Sequence, residues 1–233
     1  MRSHHRHNKI LTISDGNGML LSKQEDIVKE AVGFYVELFR DSKPKLTQEE
    51  CEFISQCIDK GLDSQQQVAL CVPVQEEEIR KTLFSMAEHK APGPDGFLVE
   101  FFKENWNVVG VDFMKAVREF FVTCFMPKTV NATSLSLIPK KQCTTTMRDY
   151  RSIACCNVLY KCITKIMATR LKRCLSSVIS GNQSAFMEGR LLSDNVLLMQ
   201  EMVCNYHVPG GVKRCAIKID LMKAYDSVKW EFL

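Results

Sequence analysis

Ala216-Ile217-Lys218-Ile219-Asp220-Leu221-Met222-Lys223-Ala224-Tyr225-Asp226 is the stretch on which the reading of this chain turns. The β-branched, alternating run from Lys213 to Asp220 predicts a strand, and Asp220 stands at its end. A carboxylate at a strand end is rigidly placed, as a divalent cation requires. Magnesium prefers oxygen ligands and takes only one or two carboxylates from a protein. Tyr225 and Asp226 follow, then the helix-like Ser227-Val228-Lys229-Trp230, which Asp226 would cap. Spacing alone leaves two readings open for Asp220, a metal ligand or a plain strand terminator. Tyr225 by itself reads as packing against the strand, and Lys218 and Lys223 as solvated.

Working back from that strand, Pro209-Gly210-Gly211 is a turn, and Ser193 or Asp194 starts a helix running through Val203. Gln183 to Arg190 is a loop. Asn157 would cap a long helix to about Ser177, with Leu159, Ile163, Ile166, Met167, Leu171 and Leu175 on one side. Before it, Ser134 to Lys141 alternates with period two and reads as a strand. Arg148 to Ile153 is a second strand, and the polar Gln142 to Met147 between them suggests a hairpin.

The first half is helical. Asp15-Gly16-Asn17-Gly18 after Ile10 to Ile13 predicts a small hairpin. Ser22 with Glu25 forms a candidate capping box for a helix carrying Ile27, Ala31, Phe34, Leu38 and Phe39. Further helices are predicted over Thr47 to Lys60, Gln75 to His89 and about Leu98 to Phe125, the last broken near Asn107 and Gly110. Lys90-Ala91-Pro92-Gly93-Pro94-Asp95-Gly96-Phe97 is a stiff, irregular turn.

Composition excludes several classes. The chain has 233 residues, 45% hydrophobic and 25% charged, enough for one or two ordinary cores. No apolar run is long enough to span a membrane. The polar Met1 to Lys9 is not a secretory signal, and its histidines read as a tail. Eleven scattered cysteines without a Cys-x-x-Cys pair point to reduced thiols, so an intracellular, cytoplasmic or nuclear place is expected. The net charge of +4 conceals a block: Pro139 to Arg190 holds ten Lys or Arg against Asp149 and Glu188. Such a block suits an anionic partner such as nucleic acid or a nucleotide, or else a solvated helix face. Lys140, Lys141 and Arg151 fall on the two strands, where Arg offers a planar donor fork and Lys a point charge to a triphosphate.

Six blocks in order, Lys90 to Phe97, Leu137 to Lys141, Asp149 to Ile153, Asn157 to Lys172, Gln183 to Asn195 and Ile217 to Asp226, resemble the reverse transcriptase of non-LTR retrotransposons (long interspersed elements), especially the plant type. The resemblance covers nearly the whole chain. It implies an α+β fold: helix-rich polymerase fingers with the beginning of a palm sheet, truncated. Residues 1–74 would be an extension upstream of the polymerase, and 75–233 a partial reverse transcriptase domain of fingers and the start of a palm.

The resemblance also implies roles. Asp220 is the catalytic carboxylate and first Mg²⁺ ligand. Lys140 or Lys141, with Arg151, would hold the incoming deoxynucleoside triphosphate, and Tyr225 would exclude a ribose 2′ hydroxyl. Gln183, Gly189 and Arg190 match a block near the path of RNA template and DNA primer. Ser152 stands where the family usually has proline, and Glu188 is an acid the family block typically lacks. The family's motif of an aromatic and two adjacent aspartates is not among these residues, so the chain alone is expected not to polymerise. The alternative is a non-catalytic RNA-binding remnant or a pseudogene product. No membrane partner is expected, and the sequence fixes no oligomeric state.

Overall fold

A computed structural model describes residues 10–40, 46–57, 61–185, 187, 189–204, 206, 215, 217 and 219. Within these, β1 (Ile13–Ser14) and β2 (Leu20–Leu21) form a small hairpin closed by Asp15-Gly16-Asn17-Gly18. Gly18 takes a left-handed φ of +84°, and Asp15 Oδ1 accepts the N–H groups of Asn17 at 2.9 Å and Met19 at 2.8 Å. The helices α1 (Gln24–Phe39), α2 (Gln48–Cys57), α3 (Ser64–Cys71), α4 (Glu76–Phe84), α5 (Val99–Glu104) and α6 (Trp106–Thr123) follow. Then come β3 (Thr133–Pro139), β4 (Tyr150–Cys156), α7 (Val158–Val178) and α8 (Leu192–Val203). The described residues are thus helix-rich with two small antiparallel sheets, the α+β character expected.

Several boundaries differ from expectation for local reasons. α1 begins at Gln24 after Lys23, without a side-chain capping bond, so the proposed Ser22–Glu25 box is not formed. A reciprocal box caps α2 instead: Thr47 Oγ1 accepts Glu50 N–H at 3.2 Å, and Glu50 Oε2 accepts Thr47 N–H at 2.8 Å. Asp63 and Gln66 do the same for α3, a helix the apolar pattern did not reveal. α4 stops at Phe84 rather than near His89. Lys103 Nζ ties the turn after it, donating to the Met86 carbonyl at 2.9 Å and to Glu88 at 2.8 Å. His89 there has φ +57°, and its N–H donates to Glu100. The expected long helix divides at Asn105, just before the predicted break. Gly110 is needed on α6 because a Cβ would lie 2.7 Å from the Trp106 ring.

Two compact units divide the chain. One comprises Met1–Arg40 with Cys71–Arg170, the other Asp41–Leu70 with Leu171–Leu233. This division cuts across the sequence boundary at residues 74 and 75. Ile13 and Ile27 share a buried cluster with Met147 and Tyr150, and Ser14 N–H donates to the Thr145 carbonyl at 2.7 Å.

The main core of the first unit is Val74, Ile79, Leu83, Met86, Val99, Phe113, Val117, Val158, Cys162, Ile163 and Ile166. Each fully buried aliphatic chain there contributes about 1.5–3 kcal/mol of transfer free energy. In the second unit, Gln66 Nε2 on α3 donates to Ser177 Oγ near the end of α7 at 2.8 Å. Most of the expected strand Lys213 to Asp220 lies outside the described residues.

Candidate functional site

β3 and β4 pair antiparallel, with Pro139 opposite Tyr150, Ile138 opposite Arg151 and Leu137 opposite Ser152. Alternation then sorts the side chains. Leu135 and Leu137 face α1, where they join Val32, Val36 and Phe39 around an apolar groove of about 620 Å³. Ile138, Arg151 and Ile153 fall on the opposite face. Arg151 is exposed there, between Ile138 at 37% and Ile153 at 46% exposure, and its guanidinium has no hydrogen-bond or ion-pair partner among the described residues. Ser152, standing where proline was expected, keeps its place in the ladder opposite Leu137.

Beyond β3 the ladder is prolonged by Lys140 N–H, which donates to the Asp149 carbonyl at 2.8 Å. The Lys140 ammonium donates to the Arg148 carbonyl at 2.8 Å. Lys141 Nζ lies 2.8 Å from Asp149 Oδ1. Asp149 Oδ2 accepts the N–H groups of Thr145 at 2.9 Å and Thr146 at 3.0 Å. The Lys141 ammonium, followed by these two N–H donors, holds the Asp149 carboxyl well below the usual carboxylate range. The hairpin therefore gathers three of the expected triphosphate contacts at one end, two lysines on the connection and Arg151 on β4. Sequence reading did not single out Asp149, although Thr146-x-x-Asp149 is a capping pattern that signals it.

The strand end leads into a junction that sequence reading also missed. Asn157 is 3% exposed, and its side chain serves segments other than its own helix. Its Nδ2 donates to the carbonyls of Thr129 at 2.8 Å and Val130 at 3.2 Å, and its Oδ1 accepts the Asp95 N–H at 3.3 Å. Asn157 is thus a tie between loops rather than the side-chain cap of α7 that was expected. Gly93 lies against it, and Lys161 Nζ donates to the Ala91 carbonyl at 3.2 Å. The proline-glycine turn is thereby bound to the end of β4.

The basic block is largely engaged within the protein. Six of its cations, Lys140, Lys141, Lys161, Lys165, Arg170 and Arg190, are directed at protein oxygens. Arg170 is the most committed, making two bonds to Glu78 at 2.9 and 2.7 Å and one to the Val72 carbonyl at 2.6 Å. The paired Glu78 carboxylate raises the Arg170 pKa. Three of these cations, Lys161, Lys165 and Arg170, fasten α7 to residues 72–91, which a charge count along the chain does not show.

Gln183 and Arg190 meet within their loop. Arg190 Nη1 donates to the carbonyls of Ser180, at 2.6 Å, and Gln183. Gly189 takes φ +75°, the left-handed region that glycine enters without penalty. Asp220 and Tyr225 lie outside the described residues. Among the described residues, no three His, Cys, Asp or Glu side chains converge to hold a metal ion. No described helix is long and apolar enough to cross a membrane.

Comparison with known proteins adds two findings. Residues 138–233 match the family described as reverse transcriptase (RNA-dependent DNA polymerase). The match starts on β3, next to the lysines, and includes Asp149, Arg151, Asn157, Asp220 and Tyr225. The chain is also 29% identical, over 217 residues, to the Transposon TX1 uncharacterized 149 kDa protein of Xenopus laevis. That similarity covers 93% of this chain, which spans 16% of the length of the transposon protein. Residues 138–233 are therefore similar to reverse transcriptase domains, and over nearly its whole length the chain is similar to a transposon protein.

Proposed function

We propose that this chain serves RNA-templated DNA synthesis as part of a non-LTR retrotransposon polymerase of the plant type, working inside the cell. In this reading residues 75–233 supply fingers and the start of a palm, and residues 1–74 extend them upstream. The β3–β4 hairpin holds the triphosphate of an incoming deoxynucleotide through Lys140, Lys141 and Arg151. Asp220 would hold Mg²⁺, which would supply electrostatic stabilisation of phosphoryl transfer. Tyr225 favours deoxynucleotides, and Gln183, Gly189 and Arg190 lie near the template–primer path.

The observation that carries this reading is Arg151, an exposed guanidinium without a protein partner among the described residues, on the strand beside two lysines. A planar donor fork on a paired strand, flanked by Ile138 and Ile153, is pre-set for a phosphate and has little else to do there.

The test is binding of the 233-residue chain to an RNA template annealed to a DNA primer, with and without a complementary deoxynucleoside triphosphate. Template–primer affinity should fall steeply with salt. Added triphosphate should stabilise the complex, and Arg151→Ala should remove that stabilisation while leaving template–primer affinity unchanged. No affinity at low salt, or equal stabilisation in Arg151→Ala, contradicts the proposal.

A further inference from the structure

The two carboxylate oxygens of Asp149 have separate tasks. Oδ2 is bound by the turn: it accepts N–H bonds from Thr145 at 2.9 Å and Thr146 at 3.0 Å, and both hydroxyls approach it at 3.3 Å. Oδ1 is left to Lys141, whose Nζ lies 2.8 Å away. The Asp149 side chain is 17% exposed and held by the turn, whereas the Lys141 side chain is 56% exposed.

We propose that Asp149 is a positioning residue which holds the Lys141 ammonium at the hairpin tip until the phosphates of a bound triphosphate take its place. This rests on reading the hairpin as a triphosphate site.

Three observations support the exchange. The turn does not need Lys141, because the Oδ2 bonds, the Lys140 N–H to the Asp149 carbonyl and the Lys140 ammonium to the Arg148 carbonyl hold it. An ion pair this exposed is weak in water, so a polyanion competes with it easily. Lysine carries a compact charge on a flexible stem, so Nζ can swing to a new oxygen without moving the backbone. Asp149 thus stores the lysine in a defined place, at the cost of some affinity for the anion.

Inorganic tripolyphosphate is the probe, titrated calorimetrically into the full chain and three variants: Asp149→Asn, Lys141→Ala and the double variant. Asparagine can place its single carbonyl oxygen where Oδ2 sits, which keeps the Thr145 and Thr146 bonds while removing the attraction for Lys141. Lys141→Ala should weaken binding. Asp149→Asn should tighten it about threefold, the scale of an exposed ion pair. In the Lys141→Ala background, Asp149→Asn should change nothing.

No tightening in Asp149→Asn, with Lys141→Ala still weakened, overturns the latch and leaves the hairpin site standing. Equal tightening in both backgrounds also overturns it, because Asp149 would then act as a general repulsive charge. No effect of Lys141→Ala would also overturn the latch, because Lys141 would then not meet the phosphates, and would leave the site to the test of Arg151→Ala. A measurement without any change at Asp149 guards against a misfolded variant. The side-chain ammonium resonance that disappears in Lys141→Ala should shift when tripolyphosphate is added to the native chain, and a resonance that stays in place overturns the exchange.

Discussion

Gly93 packs against Asn157 so closely that a Cβ on residue 93 would overlap the Asn157 side-chain oxygen and backbone nitrogen and lie 2.6 Å from the Cys156 carbonyl carbon. The contact joins the proline-glycine turn to the end of β4, the strand that carries Arg151. Gly93→Ala must therefore displace the turn, and a destabilisation of about 1–3 kcal/mol is expected, the range for overpacking. Asn157→Ala keeps the space but leaves the Asp95 N–H and the Thr129 and Val130 carbonyls without their partner. A loss of about 2–3 kcal/mol is expected there. Urea unfolding of both variants measures this, and native-like midpoints would show that the junction does not tie the turn down.

Arg170 is 12% exposed and holds both Glu78 and the Val72 carbonyl. Arg170→Ala would leave a half-buried carboxylate and a carbonyl without their guanidinium, at an expected cost of about 1–3 kcal/mol. Arg173→Ala, on the same helix and exposed, should fall within about 0.5 kcal/mol of the native chain. Equal effects in the two variants would show that the basic residues of α7 are interchangeable surface charge.

Burial in the core pushes the Cys162 thiol up to about 12. The thiolate is the reactive form, so Cys162 should resist alkylation at pH 8, whereas the exposed Cys51, Cys71 and Cys124 react readily. Mass-spectrometric footprinting with iodoacetamide measures this. Labelling of Cys162 should appear only with added denaturant, and labelling as fast as at Cys51 would contradict the packing around α7.

The Asp149 carboxyl is held down by the Lys141 ammonium and then by the Thr145 and Thr146 N–H groups. Its folded pKa lies below the unfolded value of about 3.9, so its contribution is present above that value. It is lost as pH falls through the folded pKa. The difference in melting temperature between the native chain and Asp149→Asn should stay constant from pH 5 to 8 and shrink below about pH 4. Glu100, held down chiefly by the His89 N–H, shifts in the same direction but is common to both proteins and cancels. A difference that grows in acid would mean that the carboxylate is not stabilised by the turn.

The period-two run at Ser134 to Lys141 and the apolar spacing along Asn157 to Ser177 made β3 and α7 legible, although on α7 only Ile163 and Ile166, with half-buried Leu159, enter the core, while Met167, Leu171 and Leu175 are exposed. α3 escaped notice because it buries no residue and rests on the reciprocal bonds of Asp63 and Gln66, which leave no apolar stripe. The charge block was visible, but its use was not. Whether Arg170 meets solvent or Glu78 depends on a contact across 92 residues of chain. Asn157 was taken for a cap for the same reason: Thr129, Val130 and Asp95 reach it only in the folded chain. Lys140, Lys141 and Arg151 could be placed on one hairpin because register is local, while Asp149 between them was read only as an acid.

The central claim is that the β3–β4 hairpin receives a triphosphate. Calorimetric titration of the native chain and of Arg151→Ala with a deoxynucleoside triphosphate tests it most directly. The account predicts saturable binding by the native chain, weaker binding of the matching monophosphate, and a loss of about tenfold or more in Arg151→Ala, the scale of charge-assisted hydrogen bonds. Equal affinity of the native and Arg151→Ala chains, or no binding by either, would contradict it.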